Sequence, residues 1–138
     1  MNLSKFTDYS FRTLIYLSNN SKNLYTVEEL SKNLNISENH IKKIVHALAK
    51  EGYILSTKGR NGGIKLAKPP ESINLKEVLL FCEDFSKVIE CKKNSIYCTY
   101  NSERCLIKNI VNMATEKFIQ EFSKYNLSDV LNSINDDL

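Results

Sequence analysis

Thr26-Val27-Glu28-Glu29-Leu30-Ser31-Lys32-Asn33-Leu34-Asn35-Ile36-Ser37-Glu38-Asn39-His40-Ile41-Lys42-Lys43-Ile44-Val45 is the stretch that decides the fold. Thr26 and Glu29 have capping-box spacing: the hydroxyl can accept from the backbone three residues on, and the carboxylate can reach back. Val27, Leu30 and Leu34 then fall on one helical face, and Asn35-Ile36-Ser37 breaks the pattern. Ser37 is a good N-cap for a second helix, from about Glu38 to Lys50, with Ile41, Ile44, Val45, Leu48 and Ala49 at helical spacing. Gly52 supplies its exit. Two short helices joined by a tight turn make the helix-turn-helix pattern.

The polar side of the second helix carries Asn39, His40, Lys42 and Lys43, with Glu38 at its start. In such motifs the N-terminal part of the second helix meets base edges in the major groove. Asn can read adenine, and Lys can read guanine or neutralise phosphate. An ordinary helical hairpin with a solvated face would look the same up to this point. The next residues separate the two readings. Tyr53–Lys58 and Ile64–Lys68 are strand-like, and Gly59-Arg60-Asn61-Gly62-Gly63 between them is a hairpin turn. A β-hairpin directly after a recognition helix is a wing. Its tip bears Arg60 and Asn61, flanked by Lys58 and Lys65, and an Arg on a slender tip suits a narrow minor groove. The expected DNA-contacting set is therefore Thr26, Ser37, Glu38, Asn39, His40, Lys42, Lys43, Lys58, Arg60, Asn61 and Lys65.

Upstream, Leu3 to about Leu17 has Phe6, Phe11, Leu14, Ile15 and Leu17 at spacings suited to an amphipathic first helix. Charge supports a polyanion partner for this half. Through Lys68 there are 11 Lys and Arg against 5 Asp and Glu, a balance of +6, and the remainder carries −3 of the net +3. Pro69-Pro70 marks the change. The expected division is a winged helix-turn-helix unit over 1–70 and a sensing and pairing unit over 71–138, mainly helical throughout with one β-hairpin. The N-terminus has no secretory leader pattern and no stretch reaches the ~20 apolar residues of a membrane span, so a cytoplasmic protein without membrane contact is expected.

In that compartment thiols stay reduced, and the four cysteines favour metal or redox chemistry over disulfides. Cys82 lies in the apolar run after a plausible helix start at Asn74, and reads as a core thiol. Cys91, Cys98 and Cys105 stand in a polar segment, with six residues between each and the next. Three thiolates on one metal centre would order such a segment. Structural zinc sites usually use tighter pairs and a fourth Cys or His, and His40 and His46 both sit in the recognition helix. An iron–sulfur cluster with one non-cysteine ligand fits better, with a zinc-stabilised DNA-binding protein as the alternative. A thiol-dependent enzyme is disfavoured because no base stands beside a cysteine.

From Leu106 to about Tyr125 runs a long helical pattern, with Ile107, Ile110, Val111, Ala114, Phe118, Phe122 and Tyr125 along one seam. A long helix with an apolar stripe on a small chain calls for a twin, and a two-fold dimer suits a palindromic operator. A short closing helix is expected near Asn126–Leu131, with Asn135 to Leu138 frayed.

Taken together, Phe6 to Arg12, Ile36 to Ile44, Gly59 to Ile64, the three cysteines and Tyr125 to Leu131 resemble the Rrf-two family of winged-helix transcriptional regulators. Within it the chain looks most like the nitric-oxide-sensing repressors. A related branch has a His three residues after the third cysteine; here that position is Lys108. The resemblance implies a homodimeric repressor on double-stranded DNA, released when nitric oxide attacks the cluster. It also implies a 4Fe–4S cluster (2Fe–2S being the alternative) held by Cys91, Cys98 and Cys105. Asp8, donated by the other subunit, would be the fourth ligand. Arg12, one helical turn on, could pair with Asp8 and hold it. The same fold sensing iron, redox or cluster status is the other reading of the signal.

Overall fold

The computed structural model describes residues 2–20, 22–89 and 104–136. Six α-helices and one hairpin appear among them: α1 (Lys5–Asn19), α2 (Val27–Leu34), α3 (Glu38–Lys50), β1 (Ile54–Thr57), β2 (Gly63–Leu66), α4 (Leu75–Cys82), α5 (Leu106–Ser123) and α6 (Leu127–Asp136).

Helices α1 to α4 each begin at a side-chain cap. Ser4 caps α1 by accepting from the Thr7 N–H. Thr26 and Glu29 close the full capping box on α2. Ser37 accepts from the His40 N–H at the start of α3, and Asn74 from the Lys76 N–H at the start of α4. Asn35, between α2 and α3, takes the left-handed conformation with φ 54°, which an Asn tolerates better than most residues. That single residue makes the sharp turn that sets α3 across α2.

Strands β1 and β2 pair antiparallel, with Ile54 opposite Leu66 and Thr57 opposite Gly63. Two glycines are required by close approach. A Cβ on Gly62 would collide with the Thr57 carbonyl oxygen, and one on Gly63 would stand 2.8 Å from the Leu24 Cβ.

One core serves the whole described chain. Leu14, Leu17, Leu30, Ile41, Ile44, Leu48 and Ile54 pack with Ile73, Val78 and Leu127, so the core runs past the composition change at Pro69-Pro70. Leu127 donates its N–H to the Ile73 carbonyl, and Leu75 to the Tyr125 carbonyl, tying the end of α5 to the start of α4.

Helix α6 departs from expectation. It continues to Asp136, so Asn135 is helical rather than frayed. The reason lies in the sequence stripe: Leu127, Val130, Leu131 and Ile134 continue at helical spacing, with Leu127 and Val130 against the core. Asp137 and Leu138 lie outside the described residues. No helix is long and apolar enough to cross a membrane among the described residues.

Candidate functional site

The exposed side chains of α3 are Glu38, Asn39, His40, Lys42, Lys43, His46 and Lys50, opposite the buried Ile41, Ile44, Val45 and Leu48. Asn39, Lys42, Lys43 and His46 succeed one another at helical spacing along the outward face. His46 was absent from the sequence-derived contact set; its burial pattern is what places it there. His40 is exposed yet not free: its ring packs against Tyr9 of α1, with centroids 5.6 Å apart. The two rings, with Lys5, Phe6, Lys43 and Ile44, line a small cavity of about 160 Å³ between α1 and α3. The hydroxyls of Thr26 and Ser37 are occupied as acceptors in capping, which leaves each hydroxyl proton able to donate outward. Lys58, Arg60 and Asn61 stand exposed at the hairpin tip, and Lys65 is exposed on β2.

A second group of residues gathers at the N-terminal end of α1. Asp8 accepts from Arg12 through both carboxylate oxygens, Nε to Oδ1 at 3.1 Å and Nη2 to Oδ2 at 3.0 Å. The pair is half exposed, so it orients Asp8 while adding only ~0.3–0.5 kcal/mol to stability. The Arg12 guanidinium carbon also lies 6.0 Å from the centre of the Tyr9 ring. Asp8 and the recognition helix are thus linked through Arg12, Tyr9 and His40.

Glu83, just past α4, closes the same end of α1. Its Oε2 accepts from the Thr7 hydroxyl at 2.6 Å and from the Ser4 N–H at 2.9 Å. Burial pushes the Glu83 carboxyl up, but these hydrogen bonds together outweigh it and hold the group below its ordinary value. Sequence reading missed this contact, because 76 residues separate Thr7 and Glu83 and neither carries a motif. Cys82 next to it is half-buried against the core. Burial raises its thiol above the ordinary value, and the Ser10 hydroxyl opposes that only in part, which suits a packed thiol better than a reactive one.

Of the three clustered cysteines, Cys91 and Cys98 lie outside the described residues. Cys105 is half-buried and is the N-cap residue of α5. Along α5, Leu106, Ile107, Ile110, Met113 and Ala114 are exposed and Val111 is half-buried. Phe118 and Phe122 turn inward: Phe118 meets Phe85 at 6.1 Å and Phe122 meets Phe11 at 6.0 Å, centroid to centroid. The seam read from sequence therefore divides. Its first half is open, Phe118 and Phe122 are engaged by their own chain, and Tyr125, just past α5, is exposed.

Comparison with known proteins accounts for this arrangement. The family model described as "Rrf2: Iron-dependent Transcriptional regulator" matches residues 3–133. The chain belongs to this family. The HTH-type transcriptional regulator NsrR of Bacillus licheniformis is 36% identical over 132 residues, covering 95% of this chain and 92% of the relative. The regulator of the same name from Bacillus subtilis is 34% identical over 138 residues, covering 99% and 94%. Among solved structures, IscR of T. potens matches with a TM-score of 0.78 at 16% identity, covering 97% of this chain and 88% of that one. CymR of Staphylococcus aureus matches at 0.73 and 18%, covering 93% and 96%. At such identities the structural matches establish the fold alone. This Rrf2-family chain is thus a winged-helix, DNA-binding transcriptional regulator and not an enzyme, as the sequence led one to expect.

An iron–sulfur cluster is compatible with the side chains on view. Among the described residues no side chain caps the N-terminus of α5 where Cys105 sits, and the positive end of that helix favours an anionic, thiolate-held group. Three thiolates suit such a cluster. Among the described residues no three His, Cys, Asp or Glu side chains converge on one point. A site completed by a second subunit would not assemble within a single chain.

Proposed function

We propose that this Rrf2-family regulator is a homodimeric repressor that binds two-fold symmetric operator DNA and is released by nitric oxide through an iron–sulfur cluster. The observation that carries the reading is the conjunction of Asp8, held by Arg12 at the start of α1, with Cys105 at the uncapped start of α5. NsrR-named relatives align along nearly the whole chain. Cys91, Cys98 and Cys105 would hold the cluster, of the 4Fe–4S type, and the partner subunit would supply Asp8. When bound, the cluster supplies iron that nitric oxide attacks.

The chain's own residues do the rest. Cys91, Cys98 and Cys105 would supply thiolates, the ligands that iron–sulfur clusters favour, and the harder carboxylate of Asp8 would be the more labile ligand. Arg12 keeps the carboxylate aimed and takes up its charge when it is free. Tyr9 presses on His40, so a shift of the start of α1 reaches the recognition helix directly. Half-site spacing on DNA is strict, so a small change in the separation or tilt of two α3 helices weakens specific binding. The exposed Ile107, Ile110 and Ala114, with half-buried Val111 beside them, would pair the subunits, while Asn39, Lys42 and Lys43 would read the major groove and Arg60 and Asn61 the minor groove. Functionally, residues 1–70 would read DNA and 71–138 would sense and pair.

The test is the visible spectrum of anaerobically purified protein, with iron and sulfide assayed on the same sample and operator affinity measured before and after nitric oxide. A brown protein with near-equal iron and sulfide, losing operator affinity with nitric oxide, is the expected result. Asp8→Ala should blunt that response. Colourless protein carrying stoichiometric zinc would overturn the cluster, and a response to iron or oxidant but not nitric oxide would overturn the signal.

A further inference from the structure

The wing does not hang from α3 alone. Tyr25, in the loop before α2, forms an isolated β-bridge with Ile64 of β2: Tyr25 N–H donates to the Ile64 carbonyl at 3.1 Å, and Ile64 N–H to the Tyr25 carbonyl at 2.7 Å. The hairpin base is pressed close to this loop, since Gly63 has no room for a side chain beside Leu24. The Tyr25 ring in turn stands edge-on to Tyr16 of α1, with centroids 5.2 Å apart. Tyr16 is itself held, its hydroxyl accepting from Asn33 of α2 at 2.9 Å, and the Tyr25 hydroxyl accepts from Asn23 at 3.2 Å. Neither ring is needed to fill the central core, because both are only half-buried at its edge.

We infer that Tyr16 and Tyr25 are positioning residues for the wing: their ring contact fixes the hairpin's tilt to α1, and so sets where Arg60 enters the DNA. The inference rests on the wing contact proposed above. A hairpin of four-residue strands has little stiffness of its own. Its direction therefore depends on what holds its base. Two hydrogen bonds at Tyr25 hold the backbone, and the Tyr16 ring stops the Tyr25 side chain from rotating the bridge out of line. Because α1 also carries Tyr9, which packs on His40, one helix braces both DNA-facing elements, at two points seven residues apart.

The experiment is hydroxyl-radical footprinting and affinity measurement with full-length protein on the duplex it selects from random-sequence DNA. Arg60→Ala marks the wing by removing the flanking minor-groove protection. Tyr16→Ala is expected to remove the same flanking protection, keep the central major-groove protection, and weaken binding about 5- to 10-fold. Combined with Arg60→Ala it should add almost nothing further, whereas with Lys42→Ala the losses should multiply. Tyr16→Phe, which keeps the ring, should restore the flanking protection. If Tyr16→Ala does not fold, Tyr25→Leu removes the ring contact from the other side and is read the same way. Multiplying losses with Arg60→Ala, or protection lost evenly across the site, would overturn the positioning role while leaving the wing contact standing. An Arg60→Ala variant that binds and protects like the parent would overturn the wing contact, and this inference with it.

Discussion

Helices α3 and α5 are both amphipathic, yet their apolar faces meet opposite circumstances. All four apolar anchors of α3, Ile41, Ile44, Val45 and Leu48, are at most 6% exposed. In the longer α5 the only buried residue is Thr115, while Leu106, Ile107, Ile110 and Met113 remain between 50% and 70% exposed. Single exposed apolar residues are commonplace, but four within eight positions on one helix make a surface that water solvates poorly. The comparison teaches that the apolar face of α3 is covered within one chain, whereas that of the first half of α5 is not.

The contrast can be broken first by stability. Leu48→Ala should cost ~2–5 kcal/mol in urea denaturation, as buried leucine truncations do. Ile110→Ala should cost the isolated monomer far less; equal losses in the monomer would end the comparison. It is sharpened next by assembly. Ile110→Glu places a charge on the open face and should weaken self-association at least ~30-fold, corresponding to ~2 kcal/mol for a central interface residue. Sedimentation should then show monomer with unchanged helical circular dichroism, and a variant that remains dimeric would place the interface elsewhere.

The smallest effect concerns Glu83, which joins the reading unit to the segment leading into the cysteines. Its carboxyl is held below the ordinary value in the folded chain, so its contribution is present at neutral pH. That contribution fades as pH falls from about 4.3, the unfolded value, through the lowered folded one. Partial exposure keeps it below ~1 kcal/mol. Acid unfolding of the cluster-free protein should therefore be slightly less steep in Glu83→Gln, with the difference confined to pH below about 5; parallel curves would mean the contact carries no charge-dependent stability.

The DNA-reading half was legible because its signals are local. A capping box at Thr26 and Glu29, a cap at Ser37 and a glycine-rich turn after Lys58 each act within a few residues, and the fold obeys all of them. What was not legible depends on distant partners. The Glu83 clamp joins residues 76 apart and has no period or motif to betray it. Phe118 and Phe122 share the spacing of Ile107 and Ile110, and only the presence of Phe85 and Phe11 opposite them turns them inward. His40 is exposed on α3 as its spacing predicts, but nothing in its own helix reveals that Tyr9 lies beside it. Of the cysteine triad, Cys91 and Cys98 lie outside the described residues, so the fold neither supports nor opposes that part of the reading.

The placement of α6 has a consequence for synthesis and genetics. It lies against α1, and its Leu127 is 1% exposed inside the core that Leu14 and Leu17 help to form. A chain emerging from the ribosome makes its recognition helix early but cannot close the core around it until residues 127–136 have been translated. A premature stop just ahead of Leu127 would leave α1 to α5 and the hairpin encoded and still yield an open, protease-sensitive product. Late nonsense alleles should therefore behave as nulls rather than as unregulated DNA binders.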